Sequence, residues 1–261
     1  MSFNNRSVTV IIPAHNEAPC IAQVVTELKE LRSPDNPANP LIDDLIVCNN
    51  GSKDATAELA RRAGANVFDE FRLGYGFACL RGIEKMHRPG VQTPDYVVFI
   101  DGDHSVKADE VINLLEGLAL GNDLVVGSRV AEQQEDQALS PHQIFGNKLA
   151  SSLIQWIWKK PVTDLGPFRA IRYRSLMKLD MRDQRFGWTV EMQVKALQAN
   201  MRYAEVPVTT LRRVGESKIS GTIRGTIGAA HGIFSKVFML YLLQPRFIKS
   251  LNRGRTAHLV E

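Results

Sequence analysis

The run Tyr96-Val97-Val98-Phe99-Ile100-Asp101-Gly102-Asp103 constrains this chain more than any other stretch. Its apolar, largely β-branched and aromatic residues read as a buried strand. The strand ends in two aspartates one residue apart. Side chains on an extended chain repeat with a period of two, so Asp101 and Asp103 can point the same way. Gly102 between them lets a ligand approach the backbone closely. Two convergent carboxylates at a strand end suit a hard divalent cation with positions left for phosphate oxygens. Taken alone, the triplet reads equally as a solvated turn, because Asp and Gly are turn formers.

The surrounding pattern bears on that choice. In the first half, strand-like segments (Val8–Ile12, Leu45–Cys48, Asn66–Phe68, Tyr96–Ile100, Leu124–Val126) alternate with helical ones (Ala18–Leu31, Asp54–Ala63, Gly76–Met86, Ala108–Leu120). Ser52 or Asp54 is the expected cap of the second helix. Alternation of this kind predicts an α/β fold, a mostly parallel sheet with helices on both faces. Ligands then bind beyond the carboxyl ends of the strands. Pro13–Glu17, Asn49–Asp54 and Asp101–Asp103 all fall at such ends. In the second half, Gln143–Trp158 and Trp188–Ala199 read as helices, and Phe168–Tyr173 and Arg202–Val208 as strands.

Composition narrows the class. With 261 residues, 44% hydrophobic and 23% charged, the chain can bury one large α/β core. No basic n-region or cleavage site precedes Val8, so no signal peptide is expected. Cys20, Cys48 and Cys79 are odd in number and widely spaced, which predicts buried free thiols in a cytoplasmic protein. Charge is uneven. Residues 202–261 hold ten Lys/Arg against three Asp/Glu, +7, so the remainder carries −3 of the chain's +4. A basic end suggests phosphate groups, a lipid surface or nucleic acid as partner, or simply a solvated tail. It lacks the interleaved stacking aromatics of a nucleic-acid surface. Ile227 to Leu243 is almost wholly apolar, yet short of a transmembrane helix. It fits peripheral contact with the inner face of the cell membrane or packing in a homodimer.

Several motifs follow one another along the chain: Ile12-Pro13-Ala14-His15-Asn16-Glu17; Asn49-Asn50-Gly51-Ser52-Lys53-Asp54-Ala55-Thr56; Arg72-Leu73-Gly74-Tyr75-Gly76; Asp101-Gly102-Asp103; and Gly127-Ser128-Arg129. Asp164-Leu165-Gly166-Pro167-Phe168-Arg169, Gly187-Trp188-Thr189-Val190-Glu191-Met192 and Arg213-Val214-Gly215-Glu216-Ser217-Lys218 complete the series. In this order, over roughly residues 7–235, they resemble the inverting nucleotide-sugar glycosyltransferases of family 2, with the GT-A (Rossmann-like) fold. The likeness is greatest to the dolichyl- or polyprenyl-phosphate mannosyl- and glucosyltransferases. It implies a glycosyltransferase domain over 1–221 and a C-terminal amphipathic helix and basic tail over 222–261.

The resemblance implies roles. The Pro13 and Ala14 backbone would line the base, and Glu17 would accept from ribose hydroxyls. Asn49 and Ser52 fall in the nucleotide-binding loop, with Asn49-Asn50 where the family has paired aspartates, which leaves the base open. Backbone N–H groups around Gly74 would face the diphosphate, with Arg72 adding charge. Asp101, Gly102 and Asp103 correspond to the Asp-x-Asp motif. Asp101 would lie near ribose or metal, and Asp103 would ligate Mg²⁺ or Mn²⁺. His104 is either a ligand favouring manganese or a loop histidine. Arg129, Arg169 and Lys218 would supply positive charge, and Arg213, Ser217 and Lys218 would contact an acceptor phosphate. An ionised lipid phosphate needs no strong base. A hydroxyl acceptor does, and Glu191, with Asp164 behind it, is the candidate. The expected reaction is transfer of a hexose from a donor of the UDP-glucose or GDP-mannose type to polyprenyl phosphate with inversion. The alternatives are a soluble enzyme using a hydroxyl acceptor and a non-catalytic nucleotide-binding protein.

Overall fold

A computed structural model describes residues 3–130, 141–212 and 235–241. The elements in chain order are β1 (Val8–Ala14), α1 (Ile21–Glu30), β2 (Asp44–Asn49), α2 (Thr56–Arg62), β3 (Asn66–Asp69), α3 (Tyr75–Lys85) and β4 (Tyr96–Phe99). They continue with α4 (Val111–Ala119), β5 (Leu124–Ser128), α5 (Pro141–Trp158), β6 (Arg169–Arg172), α6 (Tyr173–Leu179), α7 (Trp188–Gln198) and β7 (Tyr203–Pro207). Residues 235–241 are also helical.

The strands form one seven-stranded sheet in the order β3-β2-β1-β4-β6-β5-β7. β1, β2, β3 and β4 run parallel, as do β5 and β7, whereas β6 is antiparallel to both neighbours. The period of two sorts the core. Val8, Val10 and Ile12 of β1 face one cluster together with Tyr96, Val98 and Ile100, under α1, α2 and α4. Ile11, Val97 and Phe99 face the opposite cluster, under α3, α6 and α7. A third cluster joins α5, α7 and the 235–241 helix through Ala150, Ile154, Val190, Val194, Val237 and Leu240. The sheet is thus covered on both faces, as alternation predicted. Two features were not anticipated: β6 inserted antiparallel between β4 and β5, and the short helix α6.

Local expectations shift in informative ways. α1 starts at Ile21, because the Glu17 carbonyl accepts from the N–H groups of Cys20 and Ile21 and turns the chain first. Of the two proposed caps for α2, Asp54 accepts from the Thr56 N–H at 3.0 Å, while Ser52 Oγ accepts from the Asn16 N–H instead. The three cysteines are free and buried. Burial pushes the Cys48 thiol up to about 12, so it remains protonated. Much of residues 227–243, and the division at residue 221, lie outside the described residues.

α3 lies close against β1 at Gly82. A Cβ there would sit 2.4 Å from Ile11 Cγ2 and 3.2 Å from Cys48 Sγ, so only glycine fits without a shift. Gly82→Ala is therefore expected to destabilise the fold by about 1–3 kcal/mol through overpacking. Urea unfolding followed by circular dichroism reads this as a lowered midpoint, and an unchanged midpoint would contradict the close approach.

Candidate functional site

The carboxyl ends of β1, β2 and β4 lie side by side, because these strands are parallel neighbours. Their loops interlock through the backbone. Asn50 N–H donates to the Ala14 carbonyl at 2.7 Å, and His15 Nδ1 donates to the Asn50 carbonyl at 2.6 Å. Asn16, at φ +52, accepts through Oδ1 from the Lys53 N–H, and Glu17 N–H donates to Thr56 Oγ1. Pro13, Ala14, Glu17, Asn49 and Ser52 thereby come together at one edge, and Glu17 is buried there.

The next loop differs from expectation. Asn50 Nδ2 donates to the carbonyls of Glu70 and Arg72, and its Oδ1 accepts from the Gly74 N–H. Gly76 N–H and Phe77 N–H donate to the carbonyls of Arg185 and Gln184. Of the N–H groups around Gly74, expected to face a diphosphate, those of Gly74, Gly76 and Phe77 meet protein acceptors. Gly74 is nonetheless obligatory: its φ is +154 and a Cβ would lie 2.3 Å from the Gln184 carbonyl oxygen. Arg72 is held by a fork of bonds to Glu70 at 2.9 and 2.7 Å and stacks 4.5 Å over the Phe77 ring. The bonds from Arg72, opposed by burial, hold the Glu70 carboxyl below its usual range.

At the end of β4, Tyr75 hydroxyl donates to Asp101 Oδ1 at 3.0 Å. Burial, and then the adjacent Asp101 charge, push the Tyr75 phenol well up, so it stays a neutral donor. Sequence reading missed Tyr75. Its only signal was a residue with an apolar body and a polar tip inside Gly-x-Gly. Asp103 is buried, and its Oδ1 accepts from the Ser105 N–H at 3.1 Å. Gly102 also has a packing reason: a Cβ would lie 3.0 Å from Ile21 Cδ1 and 3.3 Å from Ile12 Cγ2, tight against α1 and β1. His104 does not face the carboxylate pair. Its Nε2 lies against Glu27 of α1.

At the end of β5, Arg129 donates to Asp164 from its backbone N–H, Nε and Nη2, at 2.8, 2.8 and 2.7 Å. Asp164 has no exposure. Burial acts to raise its pKa, yet Arg129 and the N–H groups outweigh it and hold the carboxyl below its usual range. Burial lowers Arg129 in turn, and Asp164, then Asp101 and Asp103, more than restore it. The guanidinium therefore senses the Asp101/Asp103 pair electrostatically.

Three residues expected at the site are engaged by protein groups. Arg169 is fully buried, and its guanidinium donates to the carbonyls of Gly166 and Thr189, so it ties a loop to α7 instead of meeting an anion. Burial accordingly lowers its pKa. Glu191 accepts the N–H groups of Arg182 and Asp183 through Oε2 and pairs with Lys195 through Oε1 at 2.9 Å. Asp164 is engaged by Arg129. Both candidate bases are thus hydrogen-bonded and ion-paired within the protein. Arg213, Ser217 and Lys218 lie outside the described residues.

A metal would meet hard oxygen donors here. Among the described residues no group of three or more His, Cys, Asp and Glu could hold an ion. The chain would thus offer two carboxylates, leaving remaining positions to a ligand, as Mg²⁺ and Mn²⁺ sites on phosphates require.

The model of glycosyl transferase family 2 matches residues 9–180. An uncharacterized glycosyltransferase of Mycobacterium tuberculosis is 31% identical over 226 residues, covering 85% of this chain and 93% of that protein. The polyprenol monophosphomannose synthase of Mycolicibacterium smegmatis is 26% identical over 249 residues, covering 86% of this chain and 90% of the synthase. Among solved structures, glucosyl-3-phosphoglycerate synthase of Mycobacterium tuberculosis, in complex with Mn²⁺, UDP and phosphoglyceric acid, superposes with a TM-score of 0.67 at 19% identity. That superposition covers 91% of this chain and 79% of the synthase and shows a shared GT-A fold. The chain belongs to glycosyl transferase family 2 and is a nucleotide-sugar-dependent glycosyltransferase.

Proposed function

We propose that the enzyme transfers a hexose, with inversion, from a nucleotide sugar of the UDP-glucose or GDP-mannose type to polyprenyl phosphate. The observation that carries this reading is the engagement of both candidate bases. With Glu191 bound to Arg182, Asp183 and Lys195, and Asp164 bound to Arg129, an acceptor that needs no deprotonation suits the site best. The relative named polyprenol monophosphomannose synthase supports the same acceptor class.

An ionised phosphate oxygen attacks the anomeric carbon, and the bond to the nucleoside diphosphate breaks with its electron pair leaving on the diphosphate. Asp101 and Asp103 would hold Mg²⁺ or Mn²⁺, which supplies charge stabilisation to the departing diphosphate. Tyr75 keeps Asp101 in place, and the Ser105 N–H does the same for Asp103. A carboxylate offers about four acceptor positions, so these bonds leave room for ligation. Arg129 adds fixed positive charge from a half-buried position, where it acts more strongly than in bulk water. Asn49 Oδ1 is buried without a partner, and an N–H of the base would relieve it. Lys218 and the Arg213–Ser217 stretch would meet the acceptor phosphate.

A second reading, transfer to a small phosphorylated acceptor, is favoured by the phosphoglyceric acid in the similar structure. No helix among the described residues is long and apolar enough to cross a membrane. Nucleoside diphosphate release from UDP-glucose or GDP-mannose with Mn²⁺, measured with and without a short-chain polyprenyl phosphate, tests the proposal. Release that requires the lipid phosphate is expected. Release driven only by a small phosphorylated acceptor would establish the second reading.

Asp103→Ala is expected to lower kcat at least about 100-fold, in line with loss of one preorganised electrostatic contact, without a change in melting temperature. Activity within a few-fold of wild type would remove Asp103 from the chemistry. Glu191→Gln keeps an acceptor for the two N–H groups, so kcat should stay near wild type while the urea midpoint falls. A drop of about 100-fold in kcat with unchanged stability would restore Glu191 as a base.

A further inference from the structure

The N-terminal end of helix α1 packs against the Asp101–Asp103 turn. Cys20 Sγ donates to the Gly102 carbonyl at 3.3 Å, and Ile21 fills the space beside Gly102. Further along α1, both carboxylate oxygens of Glu27 lie 3.1 and 3.0 Å from His104 Nε2. Gln23, one turn earlier, donates to Glu27 Oε1 at 2.8 Å and orients it.

His104 directly follows Asp103 and adopts φ +56. A residue with a Cβ adopts that left-handed conformation only when its surroundings impose it. The conformation also matters to the site. It sets the direction of the Ser105 N–H, which donates to Asp103 Oδ1. The path from Glu27 to the Asp103 carboxylate is therefore short: ring nitrogen, left-handed backbone, one N–H.

We propose that Glu27 is a positioning residue for the Asp103 carboxylate, acting through His104. The assignment rests on Asp101 and Asp103 as the cation ligands. The Glu27–His104 pair is partly exposed, at 34% and 18%. A pair so exposed contributes little to global stability, so its loss should release the turn without unfolding the chain. Groups behind metal ligands commonly tune affinity in this way.

The test titrates Mn²⁺ into Glu27→Ala, Glu27→Gln and Glu30→Ala with UDP or GDP present. Free Mn²⁺ is read by electron paramagnetic resonance, and melting temperature and kcat at saturating Mn²⁺ are measured alongside. Glu30 is exposed on the same helix, so its removal controls for charge. Glu27→Ala should bind Mn²⁺ about tenfold more weakly, with melting temperature and saturated kcat close to wild type. Glu27→Gln, which can still accept from His104, should recover most of the affinity, and Glu30→Ala all of it. Equal Mn²⁺ affinity in Glu27→Ala and wild type overturns the proposal. So does an equal loss in Glu30→Ala, or a loss that tracks a lowered melting temperature. Wild-type protein that takes up no Mn²⁺ with either nucleotide overturns the cation reading itself, a result distinct from uptake that Glu27→Ala leaves untouched.

Discussion

Asp164 carries a charge where there is no water, and much of the site depends on how that charge is balanced. An isolated buried carboxylate would neutralise by shifting its pKa upward. Three donors from Arg129 reverse that tendency. One of them is the Arg129 backbone N–H, so the chain leaving β5 is fixed together with its side chain. Gly166 makes the arrangement possible: a Cβ there would lie 3.2 Å from Arg129 Nε and 3.3 Å from Asp164 Oδ2. The pair then acts on β4. Arg129 feels Asp101 and Asp103 as well as Asp164, so one guanidinium stands among three carboxylates.

Around that charge the loops are held by internal hydrogen bonds. The N terminus of α3 docks on the carbonyls of Gln184 and Arg185. The segment bearing those carbonyls is clamped by Glu191 on its N–H groups, by Lys195 on the Asp180 carbonyl, and by a 2.8 Å pair between Asp183 and Lys236. Lys236 belongs to the 235–241 helix, which packs on α5 and α7. Groups that look like ligand contacts in the sequence therefore also tie these loops together. Such a scaffold holds its catalytic groups in advance, where electrostatic stabilisation requires no reorganisation.

The legible part of this protein was local and periodic. Strand β4, its two aspartates and the sheet edge they share with Pro13–Glu17 and Asn49–Asp54 were all readable, because a period of two and a run of apolar residues leave few alternatives. The antiparallel insertion of β6 was not, since a four-residue strand carries no record of its partner or direction. The partners of Arg169 and Glu191 were not legible for a related reason. A charged residue in a family motif looks like a ligand contact, yet Arg169 is engaged by backbone carbonyls and Glu191 by backbone N–H groups and a lysine one turn away. Backbone partners leave no mark in sequence. Tyr75 was hidden by its position between two glycines, which drew attention to the turn instead of the hydroxyl.

The pair Asn49-Asn50, a departure from the aspartates of the family pattern, has a physical explanation in what faces it. Asn50 Nδ2 points at two carbonyl oxygens, those of Glu70 and Arg72. A carboxylate at that position has no hydrogen to give and would face both lone pairs, while the Gly74 N–H alone would remain as its partner. Asn49 Nδ2 donates to Asp69 Oδ1 at 2.7 Å, where an aspartate would set two like charges in contact. The amides thus fit the observed arrangement of the 70–74 loop, in which Arg72 lies against Glu70 and Phe77. The amide contacts of Asn49 and Asn50 and the folding-back of Arg72 therefore go together.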